Sequence, residues 1–133
     1  MLRKFRASEH GVSAVEFALV SPLVVTLIMG ILEFGCIFYT MMSAEFATGD
    51  ASRRLAAHNI TSSQVSALVV AGLPQWAQAQ ASAAATQSGA SPVVWTITTT
   101  IPMATATPTN FLASVYGSSN LTVKSVMQQE PTY

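Results

Sequence analysis

Apolar side chains dominate the chain from position 12 to about 42, and charge enters this stretch only at Glu16 and Glu33. Between those two glutamates, residues 17–32 form a run of sixteen with no charge. About twenty apolar residues cross a ~30 Å hydrocarbon core, and spans begin near 17 residues. Adding a turn at each end predicts one transmembrane helix over roughly residues 15–37. Beyond it, Phe46, Leu55 and several alanines of FATGDASRRLAAH suit a continuing helix. Asp50 precedes Arg53 and Arg54 by three and four positions there, and each such pair adds about 0.2–0.5 kcal/mol to a helix.

The pattern then changes twice. Thr61, Ser62 or Ser63 is placed to cap a second helix running through QVSALVVAGL. Pro74 kinks or breaks it, and the alanine-rich AQAQASAAATQ predicts its continuation to Gly89 as a C-terminal stop. After Pro92 the periodicity becomes two: Val93, Trp95 and Ile97 alternate with Val94, Thr96 and Thr98, the signature of a strand. Threonines and prolines up to residue 109 read as a strand followed by an irregular loop. Residues 111–116 fit either a short helix or a strand. Leu121, Val123 and Ser125 alternate with Thr122, Lys124 and Val126, predicting a last strand paired antiparallel with the first. The fold class expected is α+β: a long N-terminal transmembrane helix, then a small extracytoplasmic domain with a second helix and a small antiparallel sheet. The expected divisions are a basic leader at 1–11, the membrane helix at 12–42 and the outer domain at 43–133.

Composition narrows the function classes. Only 9% of the 133 residues are charged and half are hydrophobic, against roughly 25% charged in an ordinary soluble domain. Ten of the twelve formal charges lie in residues 1–54; the last 79 residues hold only Lys124 and Glu130. Net charge is zero, so there is no electrostatic footprint for nucleic acid. One cysteine, Cys36, allows no internal disulfide or thiolate metal cluster. His58 and Asp50 would be the only outer pair for a catalytic triad, and they lie two helical turns apart, about 12 Å. No enzyme, cofactor, metal or small-molecule substrate is expected. Trp76 and Trp95 read as packing anchors of the outer domain. Asn59-Ile60-Thr61 and Asn120-Leu121-Thr122 match a glycosylation pattern through the abundance of threonine.

Arg3, Lys4 and Arg6 precede the span, and Arg53 and Arg54 follow well beyond it, favouring a cytoplasmic N-terminus. The stretch with most information joins the two: Gly11-Val12-Ser13-Ala14-Val15-Glu16-Phe17. A secretory signal peptide would end in small residues after its apolar core, whereas this core runs on into further helix. A lipoprotein site fits poorly, because Cys36 follows Glu33-Phe34-Gly35; Cys36 reads instead as a small apolar residue in the membrane.

A glycine followed five residues later by glutamate and an aromatic, at the entrance of a membrane helix, resembles the type IV prepilin signal of the Flp subclass. EFALVSPLVVTLIMGILEFGCIFY further resembles the N-terminal region of TadE-like proteins, the pseudopilins or minor pilins of the tight-adherence system. The matching residues are Glu16-Phe17-Ala18-Leu19, Pro22 and the block from Gly30 to Gly35. Gly49, Ala51 and Arg54 resemble the family's following small-and-arginine segment more loosely. The likeness covers about residues 8–57.

That resemblance implies cleavage by a membrane prepilin peptidase between Gly11 and Val12, leaving 122 residues with Glu16 fifth. A glycine lets backbone lie extended in a cleft without a side-chain clash. The new Val12 amine of a neighbouring subunit would pair with Glu16, beside Phe17; the alternative is that Glu16 sits in the headgroup layer. An unpaired carboxylate on an apolar helix costs several kcal/mol, about enough to favour one packing register. Pro22 is expected to kink the helix. Gly30 and Gly35 allow close helix approach, though their spacing is not that of the GxxxG motif. Glu33, about 25 Å along the axis from Glu16, is expected near the outer interface, either contacting a helix of the assembly or snorkelling outward. The partners implied are the membrane, the peptidase and other pilus-assembly subunits. The expected role is assembly of a Flp-type pilus for secretion-linked adherence and biofilm formation, from the bacterial inner membrane with the C-terminal domain periplasmic. The rival readings are an unprocessed membrane-anchored envelope protein and an exported soluble domain.

Overall fold

A computed structural model of the chain describes residues 9–131. Arg3, Lys4 and Arg6 of the expected leader lie outside the described residues. The chain divides into two compact units, one ending at Leu32 and the other beginning at Glu33.

Within the first unit, the described residues belong to α1 (Glu9–Ala56), the helix that also enters the second unit. Its large apolar side chains, among them Phe17, Leu19, Leu23, Leu27 and Ile31, are exposed. From Gly11 onward α1 is long and apolar enough to cross a membrane. Helical backbone continues through Pro22. The missing proline N–H leaves one carbonyl of the preceding turn without its helical donor. One turn on, the Thr26 hydroxyl donates to the Pro22 carbonyl at 2.8 Å.

The second unit is α+β, as the periodicity predicts. It holds the rest of α1, then α2 (Val65–Ala71), α3 (Gln75–Gln78), β1 (Ser82–Ser88), β2 (Val94–Pro102), α4 (Ala113–Tyr116) and β3 (Asn120–Gln128). The strands form one antiparallel sheet in the order β1-β2-β3, with Thr99 opposite both Ala83 and Val123. Residues 33–42, which the apolar pattern groups with the membrane helix, pack here as part of this unit.

α1 buries a narrow stripe at helical spacing: Glu33, Ile37, Thr40, Ala44, Ala47, Thr48, Ala51, Ser52 and Leu55. Most of these side chains are small, so other backbones approach closely. Ala47, Ala51 and Leu55 pack with Val65, Val69 and Ile97, while Ala44 packs with Leu73, Ala77, Ile101 and Val123. Where the stripe is polar it is satisfied internally. The Thr48 and Thr99 hydroxyls bond each other at 2.7 Å, and Ser52 donates to the Thr48 carbonyl at 2.9 Å. At Gly72, an added Cβ would lie 2.8 Å from the Ala47 Cβ, which is why the end of α2 carries no side chain there.

α1 ends in a Schellman arrangement. His58 adopts φ 59°, the Asn59 amide donates to the Arg54 carbonyl at 2.9 Å, and the His58 amide donates to Leu55 at 3.2 Å. Of the two charge pairs expected near this end, Arg54–Asp50 forms, at 2.9 Å on the surface. Thr61 opens the turn leading into α2, its amide donating to the Gln64 side chain at 2.9 Å. Pro74 stops that helix and begins α3.

The alanine-rich segment departs from expectation: residues 82–88 are strand β1, with no helix continuing to Gly89. Helix propensity favours alanine by only a few tenths of a kcal/mol per residue, about the size tertiary contacts override. Here every second residue, Ala83 and Ala85, packs on the core, and the backbone pairs along the length of β2. Gly89 is instead the turn glycine of that hairpin, at φ +77°, with space for a Cβ blocked by the Pro92 carbonyl oxygen at 2.6 Å. Residues 113–116 resolve as the short helix of the two alternatives.

Candidate functional site

The most concentrated polar chemistry in the second unit surrounds Glu33, which is 1% exposed. One carboxylate oxygen accepts the Thr109 hydroxyl and the Phe111 amide, both at 2.8 Å. The other accepts the Leu112 amide at 3.2 Å and the Thr107 hydroxyl at 3.3 Å. The loop is shaped for this. Thr107 Oγ1 also accepts the amides of Thr109 and Asn110, and Asn110 sits at φ 52°, a conformation asparagine tolerates better than most residues. That turn aims two successive amides, Phe111 and Leu112, at the carboxylate. Four donors around one buried anion are the expected compensation for taking it out of water.

This corrects both expectations for Glu33. Its carboxylate neither faces a neighbouring helix nor snorkels outward; it is enclosed by its own chain. Thr107, Thr109, Phe111 and Leu112 are partners of Glu33 that sequence reasoning missed. The available signals were a carboxylate on an apolar helix and a distant threonine-rich loop, but nothing in either pattern links them across more than 70 positions.

A second tie holds the same loop one stage earlier. The Thr40 hydroxyl donates to the Ala106 carbonyl at 2.8 Å, and the Trp76 indole N–H is shared between Thr40 Oγ1 and that carbonyl, each at 3.2 Å. Tyr39 flanks Trp76 with ring centroids 6.1 Å apart. From Ala106 at Thr40 to Phe111 at Glu33, the loop therefore travels seven α1 residues toward the helix N-terminus, about 10 Å. α4 follows. Its Tyr116 hydroxyl is buried without a hydrogen-bond partner. Burial and the nearby Glu33 carboxylate both push that hydroxyl's pKa up.

The opposite side of α1 has a different character. Phe34, Phe38, Tyr39, Met42 and Phe46 are exposed within the second unit, Phe38 at 61% and Phe46 at 79%. The step of four between Phe34, Phe38, Met42 and Phe46 lays them along one helix side. A methyl group added at Gly35 would meet nothing within 4 Å, and the same holds at Gly30 in the first unit. Neither glycine is used for packing inside the chain.

The remaining sequence-predicted residues are dispersed. The Gly11–Val12 bond lies in the first turns of α1, in helical rather than extended backbone. Glu16 and Phe17 are exposed on the helix. Cys36 is a free thiol, half-buried in the second unit. Asp50 pairs with Arg54, whereas the His58 ring meets the Gln129 side chain, so the two do not come together. Trp95 packs on the core and donates to Gln129 Oε1 at 3.2 Å, as expected of a packing anchor; Trp76, 37% exposed, lies outside the core clusters and holds its place through its hydrogen bonds to Thr40 and Ala106. No curated protein and no solved structure matches the chain. The model of one family, described as TadE-like protein, matches residues 11–53, the stretch that contains the Gly11–Phe17 motif, Glu33 and the exposed face of α1.

Proposed function

We propose that this chain is a TadE-like pseudopilin or minor pilin that acts in assembly of a Flp-type tight-adherence pilus. The observation that carries this reading is the exposed apolar side of α1 from Phe34 to Phe46, inside the family-matched stretch and on the outer compact unit. A row of large apolar side chains of this kind marks a contact surface. Helices of other pilus subunits are the occupants that suit it, and Gly30 and Gly35 stand open for close approach.

In this reading α1 anchors the chain in the bacterial inner membrane as a single pass, with the basic tail cytoplasmic and residues 33–133 on the periplasmic side. A prepilin peptidase cuts between Gly11 and Val12, and the freed Val12 amine of one subunit pairs with Glu16 of the next. Glu33 takes no part in that pairing, because its carboxylate is already satisfied. The chain performs no catalysis of its own and holds no cofactor. Its work is to present a helix, with a uniquely folded outer unit locked to that helix's C-terminal half.

Paired cysteine crosslinking in cells tests this directly. Phe38→Cys, in a Cys36→Ser background, should give crosslinked species with other pilus subunits, and Phe46→Glu should abolish both crosslinking and piliation while leaving membrane insertion intact. Full piliation with Phe46→Glu would remove the assembly role.

A further inference from the structure

We propose that the loop and short helix at residues 107–116 form a second membrane contact, held by Glu33 at the bilayer surface so that Phe111 and Val115 enter the boundary between headgroups and acyl chains. The inference rests on the reading of α1 as a membrane anchor.

Three observations converge on it. First, residues 11–32 number 22, about 33 Å of helix, which matches a ~30 Å hydrocarbon core. Glu33, the next residue, then falls at the interface. Second, the loop cannot leave that level, because Phe111 and Leu112 bond the Glu33 carboxylate through their backbone at 2.8 and 3.2 Å. The tie from Thr40 to Ala106 fixes the direction in which the loop descends. Third, the chemistry at the end of the descent suits lipid. No residue from 101 to 123 is charged; the large apolar side chains exposed there are Phe111, at 43%, and Val115, at 73%, and their exposed neighbours Thr109, Asn110 and Ser114 are uncharged and polar, as the headgroup layer accepts. Aromatic and apolar side chains at this depth lie a few ångströms into the headgroup–acyl boundary.

Glu33 thereby acquires a purpose that its burial alone does not explain. A carboxylate at the membrane surface, hydrogen-bonded by four donors from a loop, holds that loop at the level of Glu33.

The test is site-directed spin labelling of the full chain in vesicles of phosphatidylethanolamine and phosphatidylglycerol, in a Cys36→Ser background. Single cysteines replace Phe111, Val115, Leu27 and Thr86, and collision with oxygen is compared with collision with an aqueous nickel chelate. Labels at 111 and 115 should favour oxygen, at a shallower depth than 27, while 86 favours the chelate. Glu33→Ala should shift the 111 label toward the ratio found at 86. If 111 and 115 behave like 86 while 27 is in lipid, the loop contact is wrong and the anchor stands. Labels at 111 and 115 shielded from both reagents would overturn the proposal in favour of a protein partner. An aqueous Leu27 label would remove the anchor and the loop contact together.

Discussion

The Phe111 amide donates to the Glu33 carboxylate at 2.8 Å, joining positions 78 residues apart. With Thr107, Thr109 and Leu112 it converts a charge on an apolar helix into the fastening of a loop. Removing the acceptor leaves several donors without a partner, so Glu33→Ala should destabilise the second unit by about 2–4 kcal/mol. Glu33→Gln, which keeps one acceptor oxygen, should lose less. Urea unfolding in detergent, followed by the fluorescence of Trp76 and Trp95, measures the difference. Equal stability of all three chains would show that the loop is held by something else.

Thr48 and Thr99 form a smaller version of the same arrangement. Thr48→Val should cost about 1–3 kcal/mol, because it strands the buried Thr99 hydroxyl. The double variant Thr48→Val/Thr99→Val should recover most of that loss, since two methyl-bearing side chains of matching shape then face each other. A double-mutant cycle by urea unfolding reads the coupling. Simple additivity of the two single losses would contradict a direct bond between the hydroxyls.

How much of this was legible beforehand depended on the range of the interaction. The long apolar helix follows from an unbroken apolar run, and β2 and β3 follow from an alternation of two, each a pattern read within a few neighbouring residues. The Gly11–Phe17 signal is local too. β1 was not legible: seven residues rich in alanine satisfy helix propensity, and only the pairing with β2 and the packing of Ala83 and Ala85 reverse it. Glu33 shows the same limit at the site. Its position and charge stand out, but its partners lie in a loop whose approach depends on Thr40, Trp76 and Ala106.

Close packing of α2 on α1 gives a sharp steric expectation. Gly72→Ala normally favours a helix end by up to about 1 kcal/mol. Here the new methyl meets the Ala47 Cβ at 2.8 Å, so a net loss of about 1–3 kcal/mol is expected. Ala47→Gly in the same chain should restore part of it. Thermal unfolding by circular dichroism compares the three variants.

Tyr116 should contribute to the loss of stability of the second unit at alkaline pH. Burial and the Glu33 carboxylate raise its pKa in the folded chain, whereas the unfolded chain ionises near pH ~10. The folded state therefore holds the proton longer. The contribution is fully present below the unfolded value and is lost as pH rises through the folded one. Tyr116→Phe should be neutral or slightly stabilising at pH 7, because it removes a buried hydroxyl with no partner. It should also flatten the fall in stability above pH ~10. An absorbance titration of wild type and variant assigns the late-ionising tyrosine.

The mature N-terminus, determined by mass spectrometry of the chain purified from its own membranes, bears most directly on the proposed role. A pseudopilin processed after Gly11 begins at Val12 and retains 122 of the 133 residues, with Gly11→Leu blocking the change in mass. An intact chain beginning at Met1, unaltered by Gly11→Leu, would contradict processing and leave a membrane anchor in its place.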